Sequence, residues 1–224
     1  GTPPALGSNS FNGVPGTVYY IYGTQGWGTQ FGGRPTAVWT SVATFEGNGA
    51  TPSYATKSYN AGVAYGELPT ASRAIHTFEG WWTALDESGT LVETTTLVPL
   101  ITTGHTLYAK WRINQYTISF DSAGGSDVDS ITQDYGSEVT APVPTKTGYT
   151  FTGWNPPVPA TMPAENKHCV AQWQIDYEYS IDNNQVTITK YIGPDGDVTI
   201  PDSIEGYPVT SIGYQAFKNR TGVT

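Results

Sequence analysis

The sequence has very little cysteine and few basic residues. Cys169 is its single cysteine, which excludes an internal disulfide. Ten basic residues stand against 19 acidic ones, for a net charge of −9, and only 13% of the 224 residues are charged. Binding to nucleic acid or to an anionic membrane surface requires clusters of Lys and Arg. The composition therefore argues against both kinds of partner.

Long apolar runs are also missing, so no segment approaches membrane-spanning length and we expect no membrane insertion. No signal peptide opens the chain and no sorting signal ends it, so we expect an internal piece of a longer protein. Thr, Gly, Tyr, Val and Pro recur throughout, while runs of strong helix formers are absent. This composition predicts a mainly β fold of short strands joined by Gly/Pro turns.

One aromatic-marked pattern occurs twice. T-F-x-G-W ends at Trp81 and again at Trp154, and each copy is followed by a strand that closes on Trp, at Trp111 and Trp173. Each copy also opens with a strand that contains Phe and leads into a glycine turn. The order of these markers is the same in both copies, and the second copy is shorter after T-F-x-G-W. We interpret this as one structural unit present twice.

The pattern resembles the Listeria–Bacteroides repeat, also called the internalin B-type repeat. The resemblance implies small β-grasp-like modules that serve as spacers or adhesive elements of bacterial surface proteins, with no catalytic residues. The second copy carries it through Phe120, Gly124, Gly125, Tyr135, Gly136, Pro142, Pro144, Thr145, Gly148, Tyr149, Phe151, Gly153, Trp154, Ala171 and Trp173. The first copy is looser, because Ile75-His76 replaces Gly-Tyr, but it keeps the ending Leu107-Tyr108-Ala109-Lys110-Trp111.

The two flanks resemble pieces of BspA-type leucine-rich repeat arrays. The C-terminal flank reads V-T-I-P, then I-x-G-x-P-V-T-S-I-G-x-x-A-F, as the opening of such an array does. Since the array stops in its first coil, we expect Ile212, Ala216 and Phe217 to expose an apolar edge that packs on a neighbouring chain or stays mobile. The expected domains are 1–39 (end of one array), 40–113 (first repeat), 114–175 (second repeat) and 176–224 (truncated start of another array).

The Phe and Trp markers are predicted to be core residues, since small units must bury most of their aromatics. Strand alternation places Phe151 and Trp154 on opposite faces. Cys169 aligns with Leu107, which predicts a small core residue. The adjacent His168 points to the other face, so the two cannot act as a nucleophile–base pair.

No catalytic, cofactor-binding or metal-binding residue is assigned. His76, His105 and His168 lack metal-binding spacing, and Gly26-Trp27-Gly28 misses the dinucleotide fingerprint. Two acidic clusters depart from the calcium-loop pattern and are interpreted as solvated turns: Asp121, Asp127 and Asp129, and Asp195 with Asp197. Carboxylate pairs for glycoside hydrolysis are not excluded by the sequence, although no segment offers a pocket-sized fold to hold them.

Two functions remain open. The first is a non-catalytic spacer or adhesion region at the bacterial cell surface, in an elongated tandem with a short linker at 112–115. Neighbouring leucine-rich repeats would then bind a protein, matrix or host partner. The second is a carbohydrate-binding appendage of a secreted enzyme, favoured by Trp82, which the strand pleat directs away from Trp81. The alternative for Trp82 is that it covers the neighbouring repeat.

Overall fold

The computed structural model describes residues 2–5, 11, 14–101 and 103–223. The chain divides into two compact units, Gly1–Ile113 and Asn114–Thr224. All regular structure in the described residues consists of β-strands, which confirms the mainly β prediction. No helix in that part of the chain is long and apolar enough to cross a membrane.

The first unit begins with a small three-stranded sheet of order β1-β3-β2, in which β1 and β3 run parallel. Its glycine-rich turn carries Trp27, which stacks on Tyr20 with 5.3 Å between ring centroids and also contacts Phe31. This turn is therefore part of an aromatic cluster. The strands are β1 (Val18–Tyr20), β2 (Gln30–Phe31) and β3 (Arg34–Val38).

The first repeat forms a five-stranded sheet of order β5-β4-β8-β6-β7. The neighbouring strands β4 and β8 are parallel, and the three remaining strand pairs are all antiparallel. Strict alternation of buried and exposed residues along β4 directs one face of the sheet into a core. The strands are β4 (Thr40–Glu46), β5 (Thr56–Asn60), β6 (His76–Trp82), β7 (Leu91–Val92) and β8 (His105–Ile113).

The second unit repeats this layout and then adds another sheet. The second repeat has the order β10-β9-β12-β11, again with a parallel central pair. The following sheet has the order β13-β14-β16-β15, with β14 and β16 parallel. The strands are β9 (Gln115–Asp121), β10 (Ile131–Asp134), β11 (Tyr149–Asn155), β12 (Lys167–Ile175), β13 (Tyr177–Asp182), β14 (Gln185–Tyr191), β15 (Ser203–Ile204) and β16 (Tyr207–Ile212).

A β-bulge sits inside each T-F-x-G-W motif. The pairing register shifts between Phe78 and Gly80 in the first repeat, and between Phe151 and Gly153 in the second. The extra residue brings the motif's Phe and Trp to the same face, where Phe151 and Trp154 pack 5.4 Å apart. The prediction that these two residues lie on opposite faces is therefore wrong.

The predicted aromatic core is confirmed. Trp81 is 1% exposed, and Phe45 packs edge-on against it at 4.9 Å. The indole N–H of the Trp in each T-F-x-G-W motif donates a 2.8 Å hydrogen bond to a proline carbonyl, Trp81 to Pro69 and Trp154 to Pro142. These bonds satisfy the polar atom that burial of an indole would otherwise leave unpaired.

The two repeats protect the edge of the strand that carries T-F-x-G-W in different ways. The longer loop of the first repeat forms β7, where Val92 pairs with Trp81 and Leu91 pairs with Trp82. In the second repeat β11 ends at Asn155, directly before Pro156. Since proline has no N–H to donate, it is suited to the end of an edge strand. The length difference seen in the sequence thus corresponds to a β-strand.

The C-terminal segment is better packed than its sequence predicts. Ala216 is 4% exposed, and the half-buried Phe217 stacks on Tyr191 with 5.3 Å between ring centroids. Ile212 alone of the three predicted edge residues is exposed, at 52%. The prediction of an open edge is therefore wrong for Ala216 and Phe217, because the turn that follows β16 folds back over β14.

Candidate functional site

A polar network of three side chains, which was not predicted from the sequence, lies in the first repeat. Ser41 is buried, and its hydroxyl lies 3.2 Å from Nδ1 of His105. The other ring nitrogen of His105 hydrogen-bonds the Tyr65 hydroxyl. Burial lowers the pKa of His105 and raises the pKa of Tyr65 to about 12, so both side chains are neutral at pH 7. Because Ser41 has no open path to a substrate, we assign the network to the core.

The remaining histidines and the cysteine lie apart from one another. His168 is exposed, and its Nδ1 lies 3.0 Å from the Ser119 hydroxyl. Cys169 is fully buried on the other face and pairs with Phe120, as Leu107 pairs with Phe45. The prediction that Cys169 is a core residue is confirmed, and the structure separates it from His168.

Asp121 ends β9, and the other acidic residues of the two clusters lie in connecting segments outside the strands. The Asp121 carboxylate accepts a 2.8 Å hydrogen bond from the backbone N–H of Ala123, and Asp195 forms an ion pair with Arg220 at 3.6 Å. Within the described residues, no group of three or more His, Cys, Asp or Glu side chains is arranged to hold a metal ion.

Trp82 lies on the opposite face of β6 from Trp81, as predicted, and is half-buried. The Lys110 ammonium sits 4.0 Å from the centre of its ring, and the indole N–H donates to the Glu79 carbonyl at 3.2 Å. Lys110 also donates a 3.2 Å hydrogen bond to the backbone carbonyl of Asp86, and this bond fixes the ammonium over the ring. A residue of its own repeat thus occupies one face of Trp82, which weakens it as a sugar platform.

A depression of about 500 Å³ opens on the first repeat, and we call it the Arg73 depression. Arg73 precedes Ile75, which has positive φ and turns the chain into β6 at His76. Nδ1 of His76 lies 2.8 Å from the Ala74 carbonyl, which holds the ring at the opening. The lining residues are Asn48, Arg73, His76, Glu79, Leu85, Lys110, Trp111 and Ile113.

A cleft of about 670 Å³ opens in the second unit, beside the second repeat, and we call it the Lys146 cleft. The Lys146 ammonium lies 4.6 Å from the ring centre of Tyr149 and 5.8 Å from that of Trp173. The same ammonium donates a 2.9 Å hydrogen bond to the Ala123 carbonyl. On the other wall of the cleft, the Asp176 carboxylate accepts a 2.5 Å hydrogen bond from the Thr150 hydroxyl.

The two cations occupy the same place in the two repeats. Arg73 and Lys146 each stand five residues before the Phe of T-F-x-G-W. A Cβ built on Gly49 would lie 3.6 Å from the guanidinium carbon of Arg73, and one built on Gly124 would lie 3.5 Å from the Lys146 ammonium nitrogen. Each cation therefore rests over the glycine of its repeat's opening turn.

The closing-strand tryptophans line these openings as well. Trp111 and Trp173 are half-buried, and their indole N–H groups donate to the carbonyls of Gly47 at 3.0 Å and Ser122 at 2.9 Å. Because these bonds use the polar atom of each indole, the remaining exposed ring surface is apolar. The sequence markers predicted the core role of these residues but gave no sign of the openings beside them.

Charges of both signs surround each opening. Glu79, paired with Arg112 at 3.3 Å, lines the Arg73 depression. Asp176, Asp195 and Asp197 line the Lys146 cleft. The Lys146 cleft thus places carboxylates at an opening of pocket size, contrary to the expectation that no segment offers one. The mixed charges supply both hydrogen-bond donors and acceptors to a bound molecule.

The family model of the Listeria–Bacteroides repeat domain matches residues 42–110 and 116–157. The resemblance of these two segments to that repeat is thereby confirmed. The leucine-rich repeat resemblance of the flanks stays a prediction.

Three relatives are similar to part of this chain. A protein of Evansella cellulosilytica named "Putative Gly-rich membrane protein" is 34% identical over 154 residues, 62% of this chain and 18% of the relative. A second protein of that organism, "Putative membrane protein", is 47% identical over 81 residues, 35% of this chain and 12% of the relative. Internalin H of Listeria monocytogenes is 41% identical over 88 residues, 38% of this chain and 15% of the relative. The chain thus spans less than a fifth of each relative's length.

Proposed function

We propose that this chain is a non-catalytic spacer and adhesion region of an exported bacterial cell-surface protein. The observation that carries the proposal is the shared use of the marker aromatics. Aromatic residues at the same four positions build the core in both repeats. The matched pairs are Phe45/Phe120, Phe78/Phe151, Trp81/Trp154 and Trp111/Trp173. Residues repeated for packing are typical of modules that are copied to lengthen a protein.

Each repeat is equipped to be a self-contained structural unit. One sheet packs its inner face on a separate aromatic cluster, and all four core indoles are hydrogen-bonded to backbone carbonyls of their own repeat. Such a module can be added to a surface protein without a partner that completes its core.

The surface location rests on the relatives. Two carry names that describe membrane proteins and the third is an internalin, and in each the matched segment is a small part of a longer chain. The leucine-rich repeats expected at the flanks would supply the contact with a protein or host partner. The parallel pairing of β14 with β16 supports such an array on the C-terminal side.

Antibody labelling of intact cells tests the location. Antibodies raised against residues 40–175 should label intact bacteria that express the full-length protein, and brief external protease treatment should remove the signal. A strain that lacks the gene is the control. Labelling that requires cell lysis would contradict the proposal.

Deletion of residues 40–175 from the full-length protein tests the spacer role. The shortened protein should bind its partner normally after purification but capture it poorly on intact cells, because its binding repeats would stand closer to the envelope. Equal capture by both forms on cells would argue against a spacer. The alternative, a carbohydrate-binding appendage of a secreted enzyme, requires a hydrolase domain elsewhere in the full-length chain.

A further inference from the structure

We propose that the Arg73 depression and the Lys146 cleft are two versions of one binding site, and that its ligand is a neutral saccharide chain. This goes beyond the spacer role, because it gives the repeats a ligand of their own. It also moves the carbohydrate hypothesis away from Trp82, whose ring is covered by Lys110.

Repetition of the site is the first argument. Arg73 and Lys146 occupy equivalent positions, each rests over an equivalent glycine, and each lines an opening beside the closing Trp. The chain has only ten basic residues, so two in matching places are a specific feature. Core packing explains the shared aromatics, but it does not require a cation at the mouth of each opening.

The half-buried tryptophans determine what kind of surface the ligand meets. Trp111 and Trp173 have their N–H groups engaged by backbone carbonyls. What remains for a ligand is flat apolar ring surface, which suits the C–H face of a sugar ring. His76 adds a second ring at the first opening, whereas Lys146 already occupies one face of Tyr149 at the second, so Trp173 is the main ring surface there.

The mixed charges determine the polarity of the ligand. Arg73 offers donors and Glu79 offers acceptors at the first site, while Lys146 and Asp176 do so at the second. An anionic ligand would meet the carboxylates, and a cationic one would meet Arg73 or Lys146. Sugar hydroxyls both donate and accept hydrogen bonds, so a neutral polyhydroxylated ring satisfies both signs.

The size and number of the openings favour a chain over a single sugar. Volumes of about 500 and 670 Å³ lie in the range of small-molecule sites. A polymer offers the same unit many times, so two weak sites on one protein can act together. Such bivalency can raise the apparent affinity about 10²-fold or more without any new contact.

Affinity electrophoresis of the whole chain in gels that contain β-glucan, mannan, galactan or xylan tests the proposal. We expect retention by at least one of these neutral polymers. The variants are Arg73→Met and Lys146→Met, which keep the alkyl stems while removing the charges. Each should weaken retention at least about fivefold and the double variant should abolish it. Lys57→Met and Lys190→Met, which lie outside both openings, should bind normally.

Indole N–H signals in NMR spectra provide a readout that needs no substitution. Addition of the retained oligosaccharide should shift the signals of Trp111 and Trp173 and leave those of Trp81 and Trp154 in place. Retention by none of the neutral polymers, or unchanged retention of the double variant, would overturn the proposal. Binding confined to polygalacturonate or sulfated dextran and lost at high salt would overturn the neutral assignment. None of these outcomes bears on the surface location, which antibody labelling tests separately.

Discussion

Ile75 and Gly148 occupy the same position in the two repeats, and both have positive φ, 63° and 79°. The backbone N–H of the next residue, His76 or Tyr149, donates a hydrogen bond to the carbonyl of Arg73 in the first repeat and of Lys146 in the second. Glycine adopts this conformation without a Cβ penalty, whereas a β-branched residue is strained in it. The first repeat therefore holds a strained residue at the turn that positions its cation.

Replacing Ile75 by glycine should stabilise the first repeat. Relief of the left-handed strain, partly offset by the greater freedom of glycine in the unfolded chain, should raise the free energy of unfolding by about 0.5–1 kcal/mol. Urea denaturation monitored by tryptophan fluorescence measures this free energy of unfolding. A lower free energy of unfolding would show that the half-buried Ile75 side chain contributes more than its backbone costs.

Replacing Gly148 by alanine should be much more damaging than a typical glycine substitution. A Cβ there would lie 2.9 Å from Pro201 Cγ, in addition to the unfavourable φ. Gly136 is the matched control, since its φ is +81° and no atom lies within 4 Å of a Cβ built there. We expect a loss of about 1 kcal/mol for Gly136→Ala and about 2–3 kcal/mol for Gly148→Ala. Equal losses would mean that Pro201 moves away at no cost.

The spaced aromatic markers were sufficient to predict the repeats, their strands and their cores. Phe45, Trp81 and Trp154 are buried as expected because an aromatic side chain in a unit this small has few alternatives to the core. Strand alternation failed at Phe151 and Trp154, where a bulge adds one residue. A bulge leaves only a weak trace in sequence, here the glycine between the two aromatics.

The candidate sites depend on contacts between residues that are distant in sequence, which periodicity cannot reveal. Trp111 donates to the carbonyl of Gly47, and the Ser41–His105–Tyr65 network joins three separate segments. One signal was available for the openings. A basic residue precedes each T-F-x-G-W motif by the same distance, in a chain with few basic residues.

The single cysteine should be inert in the folded protein. Cys169 is fully buried, and burial raises the pKa of its thiol, so the reactive thiolate is both scarce and shielded. We expect dithionitrobenzoate to modify it at least about 10³-fold more slowly in buffer than in concentrated urea, since reaction requires local or global unfolding. Fast reaction in buffer would show that β12 opens readily.

Acidification should destabilise the first repeat through His105. Because burial lowers the pKa of this imidazole, the unfolded chain binds more protons than the folded one at any pH between the folded value and the unfolded value of about 6.5. The stabilisation that comes from neutral His105 is complete above about pH 6.5 and is lost as the pH falls towards the folded pKa. The two groups that face the ring, the hydroxyls of Ser41 and Tyr65, stay uncharged throughout this range.

A variant that cannot titrate isolates the contribution of His105. His105→Gln keeps a polar side chain at the site and removes the ionisation, so other titrating groups cancel in the difference between the two proteins. We expect the wild type to lose its advantage over the variant as the pH falls below about 6.5. Urea denaturation at several pH values measures this difference. A constant difference across the range would mean that the proton is accepted equally well in the folded state, and that the network opens to water without cost.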